Sequence, residues 1–246
     1  MSKRTSLSLK TFVIVTFLLL VGTAILAACG SSSGTATASS SSSTSSRSTT
    51  TQPSGPGGGG GSNARSGPAS GGASGTVSNV STSGFTLTTS GGQKVTVDEA
   101  SSTTYQNGTI SISASAITNG ESVLVLGTVN TTNGTTIAAT QVIVQPTGSG
   151  GSAASSAAGV VPFQRGAPTT SKQVGQIPAN YSQGSGTIVS GTTANKATEA
   201  ALAAYPGGIV DRVVKLSNGE YEVHNIGVNW PHHVFVNQDF KVVGAD

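Results

Sequence analysis

The chain has 246 residues, of which 9% are charged and 4% aromatic, with 34 glycines and one cysteine. That composition excludes one densely packed core along its whole length, and a lone cysteine excludes an intramolecular disulfide or a cysteine-rich zinc site. Lys3, Arg4 and Lys10 account for the formal charge of +3; beyond them nine basic groups face nine acidic ones, which leaves no basic footprint for nucleic acid.

Residues 1–10 carry those three basic groups and no acid, and residues 11–28, TFVIVTFLLLVGTAILAA, are apolar apart from three threonines. A basic start, an apolar run and small residues at its end describe a secretory signal. The run also meets the lower length limit of a spanning helix, so an uncut signal anchor and an ordinary secretory signal are the alternatives. The stretch Leu26-Ala27-Ala28-Cys29 resembles the lipobox of bacterial lipoproteins. The resemblance implies cleavage between Ala28 and Cys29 and a mature chain that begins with a lipidated Cys29. It also implies anchoring by acyl chains such as palmitate on the extracytoplasmic face of the cell membrane. Each buried CH₂ adds about 0.8 kcal/mol, and stable anchoring needs more than one acyl chain.

Residues 29–74 read as this cysteine followed by a Ser/Gly tether without apolar periodicity. Such a coil averages roughly 35–40 Å end to end. Residues 75–146 change to strand patterns: GFTLTT puts Phe85 and Leu87 on one face, and QKVTVDE does the same with Val95 and Val97. ESVLVLGTV is apolar on both faces, with Val123 and Val125 against Leu124 and Leu126, and ATQVIVQ adds Val142 and Val144. SGGQ, QNGT, TNGE and TNGT supply turns with glycines able to take positive φ. Short strands at this spacing predict a small all-β barrel. The segments GTVSNVSTSGFTLTTSGGQKVTV, ITNGESVLVLGTV and GTTIAATQVIV together resemble the bacterial domain-of-unknown-function 5666 family. That resemblance implies an OB-like barrel and nothing about activity. Phe85, Lys94 and Tyr105 are too few to form a stacking platform for nucleic acid.

Residues 147–185 return to Gly, Ser, Ala and Pro and read as a second disordered linker, with VVPFQRG as a sticky patch. Residues 186–246 predict a small α+β unit. TTANKATEAALAAYPGG opens with threonines suited to capping, runs through alanine-rich helix formers and stops at Pro206 and two glycines. IVDRVVKL, the turn SNGE and YEVHNI then read as a hairpin, and HHVFVN and FKVVGA add two strands. This order of elements resembles the PepSY domain, known from propeptides of thermolysin-type metallopeptidases and from secreted bacterial proteins. The resemblance implies binding rather than turnover, with a secreted peptidase as the partner class. The turn NWPHH and Asn237 depart from the family pattern and put any contact made through that turn in doubt.

Candidate sites are few. His224, His232 and His233 fall within ten residues, the raw material of a zinc or copper site. Adjacent histidines on a regular strand point to opposite faces, and no acid or cysteine of matching spacing completes a ligand set, so no metal or other cofactor is assigned. Trp230-Pro231, with Tyr221, is the candidate partner contact, because a tryptophan beside a proline makes a rigid amphipathic anchor; the alternative is a lid over a small core. No G-x-S-x-G elbow or paired carboxylates appear, and no catalytic residue is assigned. The expectation is a lipid-anchored envelope lipoprotein acting as a non-enzymatic binding module. The alternatives are a structural accessory lipoprotein and a histidine-based metal binder.

Overall fold

The stretch Ala69–Ser78, of which residues 69–74 read as tether by their Gly/Ser composition and residues 75–78 as barrel, is β1, the first strand among the described residues of the computed structural model. Residues 69–146 and 152–246 are described, and they belong to one compact unit, Gly55–Asp246. After β1 come β2 (Gly84–Thr89), β3 (Lys94–Asp98), β4 (Thr104–Asn107), β5 (Ile110–Ser111), a 3₁₀ turn at Ala114–Ala116, β6 (Ser122–Val129) and β7 (Thr136–Val144). β1 pairs antiparallel with β2 and β6, β2 with β3, β3 parallel with β7, and β7 antiparallel with β6. The five strands therefore close on themselves, consistent with the OB-like barrel expected. Val77, Phe85, Leu87, Val95, Val97, Val123 and Val125 fill its interior. The turns SGGQ and TNGT place Gly92 and Gly134 at φ of 82° and 66°, where a side chain would be strained.

The remaining elements are α1 (Ser152–Ala158), β8 (Val161–Pro162), β9 (Val174–Gly175), β10 (Thr187–Ile188), α2 (Gly191–Ala204), β11 (Ile209–Lys215), β12 (Tyr221–Ile226), β13 (Val228–Trp230), β14 (His233–Val236) and β15 (Val242–Ala245). β11, β12, β14 and β15 form an antiparallel meander in that order. The α2 helix lays Ala194, Ala197, Ala201 and Leu202 on one face of it, where small side chains let the backbone come close. The threonines expected to cap α2 lie inside its first turn; Ser190 stands at the N-cap without a side-chain capping bond.

The barrel and the meander, expected as modules separated by a disordered linker, are hydrogen-bonded to each other. Gly72 and Ala73 of β1 pair with Val210 and Ile209 of β11, and the Ile209 side chain sits in the barrel core. Leu124 and Leu126, on the outer side of β6, join the cluster under α2. A closed barrel needs only one apolar side per strand. The second apolar side of ESVLVLGTV serves this contact, where each buried leucine stabilises by about 1.5–3 kcal/mol.

The segment expected as the second linker also differs from expectation over residues 152–185. Ser155 and Val160 are buried, β8 pairs with β13, and β9 pairs with β15. Ile177, Tyr181 and Ile188 pack on Val214, Leu216 and Phe235, covering the face of the meander opposite α2. Among the described residues no helix is long and apolar enough to cross a membrane.

Candidate functional site

Strand alternation gives the meander two unlike faces. Val213, Tyr221, Val223, Val234 and Val236 turn towards α2. Arg212, Glu222 and His233 are buried as well, and with His224 they form a polar cluster. Above it runs the strap, residues 159–190.

Tyr181 of the strap donates its hydroxyl to Oε1 of Glu222 at 3.1 Å and meets the Phe235 ring edge-on at 4.8 Å. Nε2 of His233 is 3.5 Å from the same carboxylate oxygen. Burial pushes the Glu222 carboxyl above its ordinary range, because the charged form loses its water. Burial, and then the Glu222 charge, also push the Tyr181 phenol up.

A register shift between Val210 and Arg212 leaves Asp211 as the extra residue of a bulge, and such a bulge re-aims side chains. Here it sends Asp211 to His224, with Oδ1 at 2.6 Å from Nδ1, and to Arg212, with Oδ2 at 3.1 Å from Nη1. The carboxylate thereby fixes the orientation of the imidazole. Nε of Arg212 is buried and has no hydrogen-bond partner among the described residues. These three side chains open on a cleft of about 310 Å³ that also borders Asn130 and Thr131, in the loop between β6 and β7.

His232 sits in a bend rather than in β14, so the expected divergence of adjacent histidines does not occur. The rings of His224, His232 and His233 lie 5.3–6.2 Å apart, centre to centre. Nδ1 of His232 contacts the carbonyl of Asn225 at 3.1 Å, and burial followed by the neighbouring His224 pushes its pKa down. Among the described residues no group of three or more His, Cys, Asp or Glu side chains is set to hold a metal ion. No serine, threonine or cysteine among them is hydrogen-bonded to His224.

The strap also closes an edge. Val174 and Gly175 of β9 pair with Ala245 and Gly244 of β15, and the amide of Gln176 donates to the carbonyl of Val243 at 2.8 Å. The opposite edge strand, β11, is taken by β1 and β10.

The expected contact point is not at the surface, which corrects the reading of Trp230, Pro231 and Tyr221 as partner-binding residues. Trp230 is 1% exposed, Pro231 is buried, and Tyr221 faces α2 and stacks on Phe240. The Trp230 indole donates to the carbonyl of Lys172 at 2.7 Å and meets Tyr205 edge-on at 5.4 Å, so it acts as a lid on the core. Asp211, Arg212 and Glu222 are the site residues that sequence reading missed. The signal was present: DR interrupts an apolar strand, and Glu222 alternates with the buried Tyr221 and Val223. Such a polar face reads as solvated when the covering segment reads as linker. Ala28 and Cys29 lie outside the described residues. No family model, curated protein or solved structure matches the chain.

Proposed function

We propose that this protein is a lipid-anchored binding protein of a bacterial cell envelope, without catalytic turnover, whose C-terminal sheet receives an extended peptide segment of a partner such as a secreted peptidase. The observation that carries the reading is the β15 edge. Among the described residues the two-residue β9 and the amide of Gln176 just after it cover it, both β9 residues are exposed, and they belong to the chain's own strap. Sheet edges recognise peptides by main-chain pairing, and an edge closed by so short a strand is open to exchange. The lipid anchor rests on the Leu26–Cys29 sequence and places this edge outside the cytoplasm.

The test uses the full chain and a Gly175→Val variant against the secreted peptidases of the host, measuring capture and inhibition. A Cβ at Gly175 would lie 2.3 Å from the carbonyl oxygen of Val243, and its φ of 70° strains any side chain, so the variant dislodges β9. Stronger capture by the variant is expected. A panel negative for both proteins overturns the reading and leaves the structural accessory role.

A further inference from the structure

A cleft of about 830 Å³ runs between α2 and the outside of the barrel, away from the strap, within the size range of ligand sites. Its helix wall is Thr192, Asn195, Lys196 and Glu199, spaced i, i+3, i+4 and i+7 and so aligned on one face of α2. Its barrel wall is Gln141 and Ile143 of β7 and Gln145 just beyond it, alternate residues, with Gln106 and Asn107 of β4 beside them. Leu126 and Ile143 give it an apolar floor. Gln141 spends its amide on Gln106, at 2.9 Å on the same wall. Among the described residues Gln145, Asn195 and Glu199 make no side-chain hydrogen bond or ion pair across the gap, although the contact of Leu124 and Leu126 with α2 fixes the two walls. Facing polar walls that are held open without bridging each other present donors and acceptors to a third body.

The lining selects the ligand class. One lysine and one glutamate leave no net charge for a phosphate or a nucleic acid, and no aromatic lines the cleft for base stacking. Main-chain pairing with a peptide is not offered, because β7 presents side chains here and both sides of β4 are already paired. What remains is an array of carboxamides, each with a donor end and an acceptor end. Sugar hydroxyls and acetamido groups have the same dual character, and an apolar floor suits acetamido methyls and the C–H faces of a pyranose.

We propose that this cleft binds an N-acetylated oligosaccharide. The site stands apart from the β15 edge and does not depend on the peptide reading. The test is calorimetric titration of the full chain with the trimer of N-acetylglucosamine, with maltotriose as the hydroxyl-only comparison. Saturable binding of the acetylated trimer is expected at ligand concentrations up to about 1 mM, weakened about three- to tenfold by Gln145→Ala and by Asn195→Ala singly. Both substitutions remove half-buried polar side chains and should leave the thermal midpoint unchanged. Gly175→Val should leave this binding intact. No binding of the acetylated trimer, equal binding of maltotriose, or affinity indifferent to both alanine variants would overturn the proposal.

Discussion

The Trp230 indole and Lys172 are joined twice: Nε1 donates to the Lys172 carbonyl at 2.7 Å, and the Lys172 ammonium lies 4.2 Å from the centre of the Trp230 ring. Trp230 is the sole tryptophan, so its fluorescence reports on the strap. Trp230→Ala should cost about 3–5 kcal/mol in denaturant unfolding, as expected for removal of a large buried aromatic. Lys172→Ala keeps the carbonyl and loses the cation over the ring, worth about 0.5–1 kcal/mol at an exposed site. A loss below about 1 kcal/mol for Trp230→Ala would contradict its role as a core lid.

The join between barrel and meander predicts one cooperative unfolding transition for the two together. Gly71 is its sensitive point, because a Cβ there would fall 1.9 Å from the carbonyl oxygen of Val210. Gly71→Ala should destabilise by about 1–3 kcal/mol, the usual cost of overpacking. Calorimetry should then show a broadened or split transition. Two separate transitions in the unmodified chain would refute the shared unit.

Two groups of the polar cluster and the bend beside it make stability depend on pH with opposite signs. The Glu222 carboxyl is raised from 4.5, so its contribution is fully present below 4.5 and is lost as pH rises through its folded value. Glu222→Gln should therefore flatten that decline. The His232 imidazole is lowered from 6.5, so its contribution is present above 6.5 and is lost as pH falls through its folded value. His232→Phe should remove that acid-side loss. Urea midpoints measured from pH 4 to 8 on the single variants separate the two, and identical pH profiles for all three proteins would contradict both assignments.

The proposed anchor predicts that Cys29→Ala abolishes metabolic labelling by a palmitate analogue and releases the protein into the medium. An intact residue 1–28 segment on the mature protein, read by mass spectrometry, would count against it.

The barrel was largely legible in the sequence because its strands alternate cleanly and its turns carry glycines at the required places. The second apolar face of Leu124 and Leu126 was legible as well, but its partner was not, since helix docking leaves no local mark. The first strand was hidden for a physical reason. ASGGAS reads as coil by composition, yet Gly71 and Gly72 are needed because Cβ atoms there would strike the carbonyls of Val210 and Val125. The strap was hidden in the same way: its anchoring residues are few and widely spaced, so no periodicity announces them. The candidate site inherits that blindness, because a polar sheet face looks solvated until the segment above it is known to pack.

The central position of β1 has a mechanical consequence. β1 is bonded to β2, β6 and β11, and it is the first strand among the described residues. Tension applied to β1 along its own axis would load those rows of hydrogen bonds together, in shear rather than one at a time. β1 would thus resist extraction from the barrel, and the same strand would pass the strain directly into the sheet that carries the β15 edge.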